Sequence, residues 1–144
     1  SRDWSSDVCS SDHDVFTPWR YPVFELDKGG SINGVIAGLN RILEIAVPAF
    51  NEEGGTVIVP GHGRLCDEAD VSDYRDMVTI VRDRVQDMIN NKATLDQVKA
   101  AKLTVDYDGL YGSSQYSGDM FVEAVYKSLA PAAPAAAPAA RGRR

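Results

Sequence analysis

From Ser31 onward, Ile32, Val35, Ile36, Leu39, Ile42, Leu43 and Ala46 recur at helical spacing and share one face. The pattern predicts a helix with Ser31 as N-cap and Pro48 as its stop. Gly34 and Gly38 sit inside it and each weakens it by roughly 1 kcal/mol against Ala. Their missing side chains suggest close packing on a sheet. A longer stripe, Val71, Tyr74, Met77, Val78, Val81, Val85, Met88 and Ile89, predicts an amphipathic helix from about Val71 to Asn91. Asp70 is its candidate N-cap, and Asp73 adds negative charge to its first turn. Thr94 with Gln97 has the capping-box pattern and opens a short helix, Leu95 to Ala101. A last helix, Asp119 to Leu129, carries Met120, Phe121, Val122, Val125 and Leu129.

The helical periods are interrupted by "TVIVP", a β-branched run that predicts a short strand buried on both faces and ending at Pro60. "DVFTPWRYPVFELDKGG" reads as a loop with at most a short strand, and "TVDYDGLYGSSQYSG" as a loop rich in tyrosine and glycine. One strand among several helices cannot close an α/β layer. The strand needs partners that the chain does not supply, so a truncated α/β domain with exposed apolar edges is expected.

Both ends depart from this patterning. The opening "SRDWSSDVCSSD" has neither strand alternation nor an apolar stripe, and no apolar core of a signal peptide. The codons GAC TGG AGT TCA GAC GTG TGC TCT TCC GAT spell Asp3 to Asp12. That string resembles a widely used sequencing-library adapter translated in frame. Residues 1–12 are therefore expected to be a non-native, disordered segment, with the native chain a C-terminal fragment beginning near His13. Residues 130–144, "APAAPAAAPAARGRR", are rich in proline and alanine and are expected to form a disordered tail. Residues 13–129 remain as one modest domain.

The net charge is -6, so the chain lacks the basic footprint that phosphate backbones require, and nucleic acid is not expected as a partner. No run is long and apolar enough to span a membrane. With Cys9 set aside, Cys66 is the single native cysteine, which leaves no internal disulfide and no Cys-x-x-Cys metal site. The compartment and the oligomeric state stay open.

The compact chemical signal is "VIVPGHG". It delivers His62 at a strand end between Gly61 and Gly63, where missing side chains allow a sharp turn and an accessible imidazole. Such a histidine suits zinc; the competing account is a solvent-facing turn residue. Asp14 is a second candidate, a hard oxygen donor or else an exposed loop aspartate. Cys66 near His62 could bind zinc but more often such a cysteine is a small buried hydrophobe, and it receives no role. Tyr107, Tyr111 and Tyr116 either line a cleft or pack on the core. Trp19 and Tyr21 are candidates for a pocket mouth.

"DVFTPWRYPVFELDKGGSINGVIAGLNRIL", "VIVPGHG", "DVSDYRDMVTIVRDRVQDMI" and "ATLDQVKAA", in that order, resemble the C-terminal half of a metallo-β-lactamase superfamily hydrolase. The resemblance covers Asp14 to Leu129. It implies an α/β fold, the truncated C-terminal half of an αββα metallo-β-lactamase-like sandwich. It also implies one or two zinc ions in the intact parent, with His62 as the late histidine ligand and Asp14 as the bridging aspartate. The family's aspartate usually follows glycine, whereas Asp14 follows His13. The family's His-x-His-x-Asp-His motif is absent: the chain has two histidines, and with one aspartate they cannot complete a zinc site. The implied function is a fragment of a zinc hydrolase acting on a small molecule, inactive alone and weak or empty in zinc. The alternative is a non-catalytic helical module that binds a protein partner.

Overall fold

The computed structural model describes residues 15–50 and 54–130. Among them the chain forms a 3-10 turn, Leu26–Lys28, and five helices: α1 Ile32–Ile45, α2 Glu68–Asn90, α3 Leu95–Ala100, α4 Asp108–Tyr111 and α5 Gly118–Leu129. The expected leader, residues 1–12, and the tail beyond Ala130 lie outside the described residues.

Each long helix follows from its period and its cap. In α1, the Ser31 hydroxyl accepts from the Gly34 amide, and Ile32, Val35 and Leu39 face inward. In α2, Val71, Tyr74, Met77, Val78, Val81 and Val85 form one buried stripe. The helix starts earlier than expected, because Asp67 is the N-cap. Asp70, expected in that role, instead closes the capping box from the third helical position. The Thr94–Gln97 box opens α3 as expected. Ser117 caps α5, which buries Phe121, Val122 and Val125.

The core is the junction of α2 with α1 on one side and α5 on the other, with α3 against α5. Phe16 and Tyr21, from the irregular segment before α1, fill it at one end. Phe16 meets Tyr74 edge-on at 5.3 Å, and Tyr111 meets Tyr74 at 5.6 Å. Gly38 is buttressed by Val15 rather than by a sheet: a Cβ there would lie 2.9 Å from a Val15 methyl.

The fold class inferred from the motifs is corrected here. The described residues contain no sheet, so the α/β reading as half of an αββα sandwich does not describe this chain. The "TVIVP" run makes only one antiparallel bridge, Ile58 to Cys66. Its neighbours Val57 and Val59 are 61% and 75% exposed, where a strand buried on both faces was expected. The physical reason is the absence of neighbours. A β-branched segment becomes a strand only where others satisfy its backbone and cover its faces, while each helix satisfies its own backbone and needs only one covered stripe.

Candidate functional site

His62 lies in the bend Gly61–Arg64, exposed on the surface. The loop that carries it is tied at its base. Ile58 and Cys66 exchange two backbone hydrogen bonds of 2.8 and 2.9 Å. The Arg64 guanidinium forks onto Asp70 in the first turn of α2, with one arm at 2.8 Å. The same guanidinium donates to the Leu65 carbonyl at 3.0 Å. Hydrogen bonding from Arg64 holds the Asp70 carboxyl below the usual carboxylate range. Cys66 lies beneath the loop with its thiol donating to the Arg64 carbonyl at 3.4 Å, and burial pushes that thiol up.

Gly63 requires glycine for two reasons. Its φ of 101° is in the left-handed half of conformational space. A Cβ there would also overlap the Trp19 ring, which lies directly against the Gly63 backbone. Trp19 is 43% exposed, so it covers the loop from one side and remains open to solvent on the other. The contact joins the His62 loop to the segment that follows Asp14. Asp14 itself lies outside the described residues.

The remaining sequence candidates separate cleanly. Tyr21 is no pocket-mouth residue. It is fully buried, stacks on Phe121, and donates to Asp108 Oδ1 at 2.8 Å. Tyr107, Tyr111 and Tyr116 pack against the core, with the Arg84 guanidinium over the Tyr107 ring. Among the described residues, no group of three or more His, Cys, Asp or Glu side chains is placed to hold a metal. An open cleft of about 430 Å³ lies at the start of α5, lined by Lys102, Asp108, Ser113 and Asp119 among others. Of its three charged residues, Lys102 and Asp119 pair with each other at 2.6 Å, and Asp108 accepts from the Tyr21 hydroxyl.

Sequence reasoning missed Arg20. It sits between Trp19 and Tyr21, with its Nε buried and without a hydrogen-bond partner. Its only sequence signal is a cation in an acidic chain, and that is too common to single out.

No family model, no curated protein and no solved structure matches the chain. Fold and site together define a small helical unit that presents one glycine-flanked histidine loop beside an exposed tryptophan. No helix among the described residues is long and apolar enough to cross a membrane.

Proposed function

We propose that the chain is part of a zinc-dependent hydrolase related to the metallo-β-lactamase superfamily, with the His62 loop contributing one ligand to the metal centre. The observation that supports this reading is the contact of Trp19 with Gly63. It sets Trp19, in the segment following Asp14, against the loop that carries His62. His62 is exposed on a loop fixed at both ends, which suits a ligand that must meet groups supplied from elsewhere. When bound, zinc lowers the pKa of a coordinated water toward about 7 and supplies a hydroxide nucleophile for a carbonyl-type small-molecule substrate. The chain's own part is to hold the imidazole and, through Trp19, to wall the site on one side.

Zinc titration tests this. The chain alone should bind zinc weakly, because few ligands are pre-assembled and water must fill the remaining positions. Joined to an upstream half carrying His-x-His-x-Asp-His, it should bind zinc tightly and hydrolyse substrate, and His62→Ala should abolish or sharply reduce both. Full zinc occupancy and activity in that His62→Ala protein would refute the assignment. So would tight stoichiometric zinc binding by the chain alone.

A non-catalytic interaction module is the second reading. It draws on the exposed apolar side chains Val57, Val59 and Leu65 around the same loop. A folded chain whose His62 resonances ignore zinc in the joined protein would favour it.

A further inference from the structure

Four of the five described helices carry an acid in the first turn, where the helix dipole favours negative charge. These are Glu68 and Asp70 in α2, Asp96 in α3, Asp108 in α4 and Asp119 in α5. The first turn of α1 has none. Its second residue is Asn33, which is exposed and is followed by the exposed Gly34. No other asparagine in the chain precedes a glycine.

Asn33 occupies a place already fitted for an acid. Its Oδ1 accepts from Arg82 Nη1 of α2 at 3.3 Å, while the Nε side of the same guanidinium lies 2.6 Å from Asp83. A carboxylate at this position would make the bond to Nη1 charge-assisted, with the donor already in place. It would also sit where the dipole of α1 favours it. The neutral amide uses neither advantage.

The Asn-Gly pair supplies a route to that carboxylate. Glycine has no Cβ, so its nitrogen can approach the preceding side chain. The Gly34 nitrogen attacks Asn33 Cγ, the bond from Cγ to the side-chain nitrogen breaks, and ammonia leaves carrying the proton that Gly34 gives up. Water then opens the resulting five-membered imide. Attack at Cγ yields aspartate, and attack at the main-chain carbonyl carbon yields isoaspartate. The fold restrains the first step. The Gly34 amide donates to the Ser31 hydroxyl at 3.0 Å, and the Ile32 amide donates to the Ser128 hydroxyl of α5 at 3.0 Å. Gly34 can turn on Asn33 only when this turn opens. The fold also sorts the products. Isoaspartate adds a main-chain atom and cannot close the helical ring, whereas aspartate restores the turn. Isoaspartate can re-form the imide, so refolding draws the chain toward aspartate.

We propose that Asn33 is a spontaneous deamidation site, gated by the Ser31 and Ser128 caps, whose aspartate product is held by Arg82. The change adds a negative charge and tightens α1 on α2. It stands apart from the hydrolase reading and needs only this chain and water.

Ageing the full chain at mildly alkaline pH, followed by peptide mass mapping, tests it. In guanidinium chloride, conversion at Asn33 should outpace that at Asn40, Asn51, Asn90 and Asn91. In the folded chain it should be about tenfold slower or more, because the first turn of α1 must open. Ser31→Ala and Ser128→Ala should each raise the folded rate about threefold or more. Asn33→Asp should raise Tm by about 2–5 °C, and Arg82→Gln should remove most of that gain. Equal rates in folded and unfolded chains, or a folded rate unmoved in both serine variants, would overturn the gating. Faster conversion at another asparagine, or isoaspartate persisting as the main product of the folded chain, would overturn the site. An Asn33→Asp chain less stable than the parent, or equally stabilised without Arg82, would overturn the role of Arg82.

Discussion

Tyr21 stacks on Phe121 with ring centroids 4.8 Å apart and planes 13° from parallel. The pair joins the irregular segment before α1 to the last helix. The Tyr21 amide donates to the Tyr111 carbonyl at 3.2 Å, and its hydroxyl reaches both the Thr104 carbonyl and Asp108. Burial, with Asp108 beside it, pushes the phenol well above the ordinary range, so it remains a donor. One side chain thus fixes the position from which Trp19 and Arg20 project.

Tyr21→Phe keeps the stack and removes the hydroxyl. Urea unfolding should show a loss of about 1–2 kcal/mol, the worth of a buried hydrogen bond whose partner is partly solvated. Tyr21→Ala should cost about 3–5 kcal/mol, since the stack and the packing go with it. Equal losses for the two variants would mean that the ring contributes nothing.

Gly63→Ala meets both the left-handed backbone and the Trp19 ring. The expected outcome is a loss of about 1–3 kcal/mol and displacement of the indole. In a Trp4→Phe background, Trp19 emission should shift to longer wavelength. An unchanged spectrum would show that the ring does not rest on this loop.

Glu123 accepts from Lys127 at 2.7 Å and from Lys99 at 2.8 Å, linking α5 to α3. These bonds hold its carboxyl down at about 2 from 4.5. A depressed carboxyl contributes stability that is fully present above the unfolded value. That contribution is lost as the pH falls from about 4.5 toward 2. Melting temperature against pH should therefore decline through that window more gently for Glu123→Gln than for the parent. The two curves should converge at the acid end. Parallel curves would show that the pairs do not couple to folding.

Leu39 is fully buried on the face of α1 that meets α2. Leu39→Ala should destabilise the chain by about 2–5 kcal/mol in urea unfolding with little change in the slope of the transition. A loss under 1 kcal/mol, on the order of a surface substitution, would argue that α1 does not dock as described.

The long helices α1, α2 and α5 were legible because their period is uninterrupted, and the α2 stripe from Val71 to Val85 is buried as read, whereas α4, Asp108–Tyr111, falls in a segment read as a loop. The exact start of α2 was not, since Asp67 and Asp70 stand three residues apart and either could cap. Composition alone misread "TVIVP". Val57 and Val59 have strand-forming side chains, but pairing is a property of neighbours that local sequence does not contain. At the site, Gly61 and Gly63 flagged an unusual turn around His62. That Gly63 is also the floor under Trp19 is a tertiary fact, as is the missing partner of Arg20.

Cys66 is 5% exposed under the loop that carries His62, one residue beyond the exposed Leu65. A thiol reagent can reach it only when the Ile58–Cys66 tie parts. In a Cys9→Ser background, the labelling rate of Cys66 divided by that of a free thiol therefore gives the fraction of time the loop spends open. The sulfur acts as a clock for that opening. If His62 ligates zinc as proposed, added zinc should slow that opening.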